Sequence, residues 1–342
     1  MTKATLYEKL KNKEVKCFAC NHGCLVSKGK TGICGVRKNL KGELYLMVYN
    51  KPIAVNIDPI EKKPLFHFLP GQGVFSLGTI GCNFGCEFCQ NWDISQLSKK
   101  PEVDILKILE ETQEWSAERI IDYCLSNNLQ IIAYTYDEPT IWTEYALEIM
   151  KLARKNGIKN VWVSNGFFSD KTLREISPYL DAINIDLKSF SEKFYNKVCK
   201  AKLEPVKNNI KKVYDLGIWE EITTLIIPTL NDSEKELTQA AKFLSSISKD
   251  LVWHISAFYP AYKITNLPST PQETLIKAYQ IGKSVGLNYV YTGNIPDENY
   301  ESTYCPQCGE KLIERWGIEM IQNKLKDGKC FECGVKIPGR WQ

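Results

Sequence analysis

Seven short apolar runs separated by amphipathic stretches constrain what this chain can fold into. The runs are VFSLGTI, QIIAYTY, VWVSN, AINIDLK, EEITTLIIP, LVWHISAF and YVYTG, between residues 74 and 293. Between them lie patterns such as AERIIDYCLSNN, TEYALEIMKLARKNG and SEKELTQAAKFLSSI, whose apolar residues recur at helical spacing. Gly157 comes just past one of these and marks a helix stop. Strands that alternate with helices predict an α/β fold with a parallel sheet. An open or closed barrel of this type carries its function at the C-terminal ends of its strands.

The chain has 342 residues, room for roughly two domains or one large barrel with appendages. Its thirteen cysteines are too many for packing alone. In a reducing compartment such clusters read as metal ligands or catalytic groups rather than disulfides. Cys124 and Cys199 stand alone and read as small buried hydrophobes. The other eleven fall into three groups. Cys82, Cys86 and Cys89 form C-x3-C-x2-C in IGCNFGCEFCQNW, just after the first strand of the expected barrel. Three thiolates so close suit an iron–sulfur cluster or zinc. A four-iron cubane normally takes four thiolates, so three leave one iron open to substrate or cofactor. The competing reading is a zinc site completed by a remote ligand.

The C-x3-C-x-aromatic-C pattern after a first barrel strand resembles the radical S-adenosylmethionine superfamily. The resemblance implies that the open iron chelates the amino and carboxylate groups of S-adenosylmethionine. One electron then breaks the sulfonium C–S bond, giving methionine and a 5′-deoxyadenosyl radical that abstracts hydrogen from substrate. The same resemblance extends along the later strands. In AYTYDEPT, Glu138 and Pro139 match a Gly-Gly-Glu-Pro loop that contacts the methionine amino group, while Tyr136 and Asp137 replace its glycines. VSNGF supplies Ser164 and Asn165. NIDLKSF supplies Asp186 and Lys188, similar to a pair that handles the methionyl carboxylate. LIIPTLND places Asn231 and Asp232 beyond a strand end, and WHISAFYP places His254. Each also has a plain reading: a structural ion pair, a core histidine, a helix N-cap at Asn231–Ser233, a turn at 164–166, packing for Tyr134 and Tyr136.

The ends suggest a narrower family. CxxC…CxVR near the start, FCQNWDISQ, YTYDEPT and a final cysteine-rich segment ending in GRW resemble the AmmeMemoRadiSam system radical SAM enzymes, relatives of pyruvate formate-lyase activating enzyme. That resemblance implies a flavodoxin- or ferredoxin-like electron donor and Memo-type and AMME-region-type protein partners. A glycyl-radical activase is the alternative enzyme. A zinc-ribbon scaffold on a degenerate barrel is the alternative of another class.

Cys305, Cys308, Cys330 and Cys333 form two CxxCG knuckles, the pattern of a tetrahedral Zn²⁺ or rubredoxin-like iron site. Cys17, Cys20, Cys24 and Cys34 form C-x2-C-x3-C-x9-C, a candidate second site for zinc or an iron–sulfur cluster. The expected fold class is therefore α/β: a partial (β/α)6 radical SAM barrel over residues 74–297, an N-terminal β-rich cysteine domain over 1–73, and a C-terminal zinc-ribbon or rubredoxin-like knuckle over 298–342. The net charge of +4 without a basic tract makes no case for nucleic acid or an anionic membrane. No stretch approaches the roughly 18 apolar residues of a membrane span, and the first residues lack a signal-peptide core. The expected location is the cytoplasm.

Overall fold

All seven apolar runs become strands in the computed structural model, which describes residues 1–295 and 297–342. The chain divides into two compact units. The first comprises Met1–Asp58, Gly73–Asp181 and Cys199–Ala201. The second comprises Pro59–Gln72, Ala182–Val198 and Lys202–Gln342.

In the first unit the strands β1 (Ala54–Pro59), β2 (Gly73–Gly78), β3 (Ile131–Tyr134) and β4 (Lys159–Ser164) lie side by side in that order. The β2–β3 and β3–β4 pairs are parallel. Every residue of β3 is buried, as expected for a strand covered on both faces. The helix Ala117–Ser126 covers it, capped by the Ser116 hydroxyl, which accepts from Arg119 N–H. Cys124 points from this helix into the core, where burial pushes its thiol up to about 12. The helix Thr143–Lys155 ends at Gly157, whose φ of +73° suits a residue without Cβ. Two small antiparallel sheets complete the unit. One is built from Thr2–Lys3, Glu43–Leu46 and Arg37–Leu40, the other from Tyr7–Lys9, Val15–Cys17 and Leu25–Val26.

The second unit holds β5 (Ala182–Asp186), β6 (Trp219–Ile226), β7 (Val252–Ala257) and β8 (Val290–Gly293), parallel in sequence order. Helices Leu203–Asp215, Glu234–Ile247 and Gln272–Ser284 connect them. Ser233 caps the second of these. The α/β fold with a parallel-rich sheet agrees with the sequence expectation.

The segment 59–72 joins this second core through one carboxylate. Glu221 on β6 accepts four hydrogen bonds: from Phe66 N–H (2.9 Å) and His254 Nε2 (2.6 Å) at Oε2, and from His67 N–H (2.8 Å) and Trp219 Nε1 (2.9 Å) at Oε1. The C-terminal cysteine segment packs here as well. Cys305, Leu312, Ile313, Cys330 and Ile337 share one apolar cluster with Phe66, Val252, Tyr289 and Tyr291. The buried Arg315 donates to Phe66 O at 2.7 Å and to Thr303 Oγ1 at 2.8 Å.

Candidate functional site

The cysteine loop leaves β2 through Gly78, Thr79, Ile80 and Gly81. Gly81 has φ +103°, and a Cβ built there would stand 2.7 Å from Cys34 O and 3.1 Å from Ser98 Oγ. Only glycine fits that turn. The loop then presents Cys82, Cys86 and Cys89, of which Cys86 is buried and the others half-buried. Donors surround the sulfurs. Phe84 N–H lies 3.3 Å from Cys82 Sγ and Asn165 Nδ2 lies 3.9 Å away. Ser95 Oγ is 3.2 Å from Cys89 Sγ. Burial raises the Cys82 thiol well above its usual value, while Lys99 favours the thiolate. Lys99 itself is anchored on Phe84 O and Gln96 Oε1. Thiolates with N–H donors and a nearby cation match what an iron–sulfur cluster needs from its surroundings.

The strand ends beside this loop are braced by two consecutive carboxylates. Asp137 accepts from Thr79 N–H (3.1 Å), Thr79 Oγ1 (2.8 Å) and Trp142 Nε1 (3.1 Å). Burial pushes its carboxyl up to about 8 despite these donors. Glu138 accepts from Thr140 N–H and hydroxyl, from Ser164 Oγ (2.9 Å) and from Asn165 N–H (2.8 Å). Burial raises it too, against those hydrogen bonds. Asn165 Nδ2 also donates to Asn83 Oδ1 at 2.7 Å, next to Cys82. Three sequence-predicted residues, Glu138, Ser164 and Asn165, thus come together with the cysteine loop. Glu138 spends its acceptor capacity on the brace itself. Asp137 was legible only as a departure from a glycine. Its neighbour Tyr136 also replaces a glycine and keeps the glycine conformation, with φ +71°. The Tyr136 hydroxyl donates to Asp58 Oδ2, holding that strained residue in place.

In the second unit Asp186 ends β5 and Lys188 follows it, with Lys188 Nζ 2.6 Å from Asp186 Oδ2. Both side chains stay partly exposed, 26% and 17%, so the pair can meet a ligand. Asn231 holds the Lys188 backbone: its Nδ2 donates to Lys188 O and Leu225 O, both at 2.8 Å, and its Oδ1 accepts from Ile227 N–H at 2.6 Å. Asn231 is therefore a strap, and the N-cap beside it is Ser233.

His254 is buried on β7 and donates to Glu221. Against burial, which raises it, the hydrogen bond and charge of His254 hold Glu221 below its usual value. His254 also lines a cavity of about 320 Å³ with Glu61, Phe66, Ser256 and Thr292. Glu61 Oε2 and Thr292 Oγ1, both buried, have no hydrogen-bond partner among the described residues. His67 is a residue sequence reasoning missed. Its Nδ1 meets Pro338 O and its Nε2 meets Tyr291 OH, both at 2.7 Å. No local pattern in the 59–72 segment signals that role.

The four C-terminal sulfurs converge. All lie within 4.8 Å of one another, with Cys305–Cys333 and Cys308–Cys330 separations of 3.6 and 3.7 Å. A tetrahedral ion with metal–sulfur bonds of ~2.3 Å spaces its ligands by about 3.8 Å. These cysteines can therefore hold one metal ion. Gly309 and Gly334, at φ +80° and +75°, close matching turns in which Gly309 N–H donates to Cys305 O and Gly334 N–H to Cys330 O.

Comparison with known proteins agrees with this geometry. Residues 77–244 match the Radical SAM superfamily. An uncharacterized protein of Methanocaldococcus jannaschii is 42% identical over 98% of this chain and 99% of its own length. A putative glycyl-radical enzyme activating enzyme of the same organism is 28% identical over 63% of this chain and 77% of its own. Among solved structures, a radical SAM methyltransferase from Sphaerobacter thermophilus shares the fold with a TM-score of 0.50, 13% identity, and coverage of 67% of this chain and 68% of that one. A superfamily match that opens in the strand before the cysteine loop and runs past Lys188, and a full-length relative, lead to one conclusion: this chain belongs to the radical SAM superfamily, whose members use a [4Fe–4S] cluster and S-adenosylmethionine.

Proposed function

We propose that this chain cleaves S-adenosylmethionine reductively at a cluster held by Cys82, Cys86 and Cys89, and directs the resulting 5′-deoxyadenosyl radical at a substrate hydrogen. The cluster, when bound, supplies the electron that breaks the sulfonium bond. The chain's own residues hold and orient. Three thiolates leave one coordination position open for an amino acid chelate. Asp186 and Lys188 offer an anion and a cation to the methionyl zwitterion, and Asn231 fixes the Lys188 backbone. The Glu138 brace sets the spacing of Ser164 and Asn165 beside Cys82. We assign His254, its ring fixed by Glu221, to ligand binding, and the cavity it lines to a polar group of the substrate.

The observation that carries this reading is the half-buried Cys82 sulfur facing the Phe84 and Asn165 donors within a C-x3-C-x2-C loop. We place the chain in the AmmeMemoRadiSam group, acting in the cytoplasm with a flavodoxin- or ferredoxin-like donor and with Memo-type and AMME-region-type partners. The C-terminal four-cysteine site we assign to Zn²⁺ in a structural role. Glycyl-radical activation is the second reading, supported by the similarity to a putative activating enzyme. Electron paramagnetic resonance of the anaerobically reconstituted, reduced chain tests the main reading. Adding S-adenosylmethionine should change the cluster's g-values. An unchanged spectrum with saturating cofactor removes it.

A further inference from the structure

We infer that Cys17, Cys20, Cys24 and Cys34 hold a second iron–sulfur cluster, seated against the loop of the first and able to exchange electrons with it. The four sulfurs are gathered by backbone. Cys17 N–H donates to Cys24 O at 2.9 Å, and Gly23 N–H to Cys20 O at 3.2 Å. A Cβ built on Gly32 would stand 3.7 Å from Cys24 Sγ and 3.9 Å from Cys34 Sγ, so a larger residue there would crowd both. Cys17 and Cys34 are buried and the other two half-buried. Three residues past Cys34, the buried Arg37 pairs with Glu144.

The spacing separates this group from a zinc site. The C-terminal four sulfurs already stand at the edge length of a tetrahedron around one ion. Among the described residues, no other group of three or more ligating atoms lies within 4.8 Å. Neither the N-terminal four nor Cys82, Cys86 and Cys89, the set proposed to hold a cubane, stand at that single-ion spacing. A cluster with irons at separate corners keeps its thiolates farther apart than a single ion does.

Position gives the site its use. Ser98 Oγ donates to Cys34 O at 2.8 Å, and Gly81 packs on the same carbonyl. His22, between Cys20 and Cys24, contacts Asn83 O through Nε2 at 2.9 Å, one residue from Cys82. Cys20 bridges to Phe168, beyond the Asn165 that faces Cys82. One electron from an external low-potential carrier would reduce the N-terminal cluster and pass to the cluster at Cys82, Cys86 and Cys89. No bond forms or breaks in that step, and each centre is reoxidised as it hands the electron on.

The site itself does not depend on the proposed reaction, and the test reads it without turnover. The full chain carrying Cys82→Ala, Cys86→Ala and Cys89→Ala is reconstituted anaerobically with ferrous iron and sulfide. Acid-labile sulfide should remain, because mononuclear zinc or iron sites contain none, and it should vanish when Cys24→Ser and Cys34→Ser are added. No labile sulfide in the triple variant overturns the site. If that variant does not fold, Cys24→Ser in the otherwise native chain decides: labile sulfide should fall by about half, and an unchanged content overturns the proposal. Proximity is read by paramagnetic resonance of the dithionite-reduced native chain. Its signals should be broadened by spin coupling that is absent when either set of cysteines is removed. A native spectrum equal to the sum of the two single-cluster spectra overturns the electron exchange.

Discussion

Asp137 grips Thr79 at two atoms, its backbone N–H at 3.1 Å and its hydroxyl at 2.8 Å, and so fixes the point where β2 opens into the cysteine loop. Asp137→Ala would leave buried donors on Thr79 and Trp142 unpaired, a loss of about 2–3 kcal/mol. Denaturant unfolding should register that loss, and cluster yield should drop with it. Protonation also matters here. The folded carboxyl titrates at about 8 and the unfolded one near 3.8. Its contribution is full below the unfolded value and is lost as pH rises through about 8. Asp137→Asn, which cannot ionise, should flatten the fall in stability between pH ~4 and ~8; an unaltered slope would mean the acid is already ionised.

His67 gives the opposite dependence. Burial pushes its imidazole down to about 4, where Nδ1–H donates to Pro338 O and Nε2 accepts from the Tyr291 hydroxyl. The unfolded chain binds a proton near pH 6.5 that the folded chain refuses until about 4. Stability should therefore fall by roughly 3 kcal/mol as pH drops across that window. Urea titrations of the native chain and His67→Gln should diverge in slope there, and parallel slopes would show that His67 is not buried as a neutral ring.

Asp186→Asn and Lys188→Met should each weaken S-adenosylmethionine binding about tenfold or more, since a charged ligand in a partly desolvated cleft loses its partner. The cluster absorbance should stay. Equal cofactor affinity in both variants, measured by equilibrium dialysis, would leave the 2.6 Å pair a structural one.

Cys305→Ser should release one metal ion per chain, because three thiolates no longer close the tetrahedron. Its apolar cluster includes Tyr289 and Tyr291, so hydrogen-exchange protection should fall in β8 as well as beyond residue 300. Elemental analysis decides the metal's identity: zinc should drop while iron holds. A fall in iron would make the knuckle a rubredoxin-like centre.

The strands, the cysteine loop and the knuckle were legible because each has a local signature: apolar runs of strand length, or thiols at fixed spacing. The braces were not. Glu220 and Glu221 stand together in a strand buried on both faces, and nothing in EEITT says that Glu221 will collect Phe66, His67, Trp219 and His254. Those partners come from distant segments, so the pairing exists only after folding. Tyr136 and Asp137 were visible as replacements of glycine. That the tyrosine would keep a positive φ and the aspartate would hold Thr79 depends on Asp58 and Trp142, neither of which lies in a recognisable motif.

The central claim is tested most directly by incubating the reconstituted native chain anaerobically with S-adenosylmethionine and dithionite, and quantifying both products by chromatography. Methionine and 5′-deoxyadenosine should appear in equal amounts, and Cys82→Ala, Cys86→Ala and Cys89→Ala should each abolish both. No 5′-deoxyadenosine from a chain loaded with iron and sulfide, or its undiminished formation in a cysteine variant, would contradict the account.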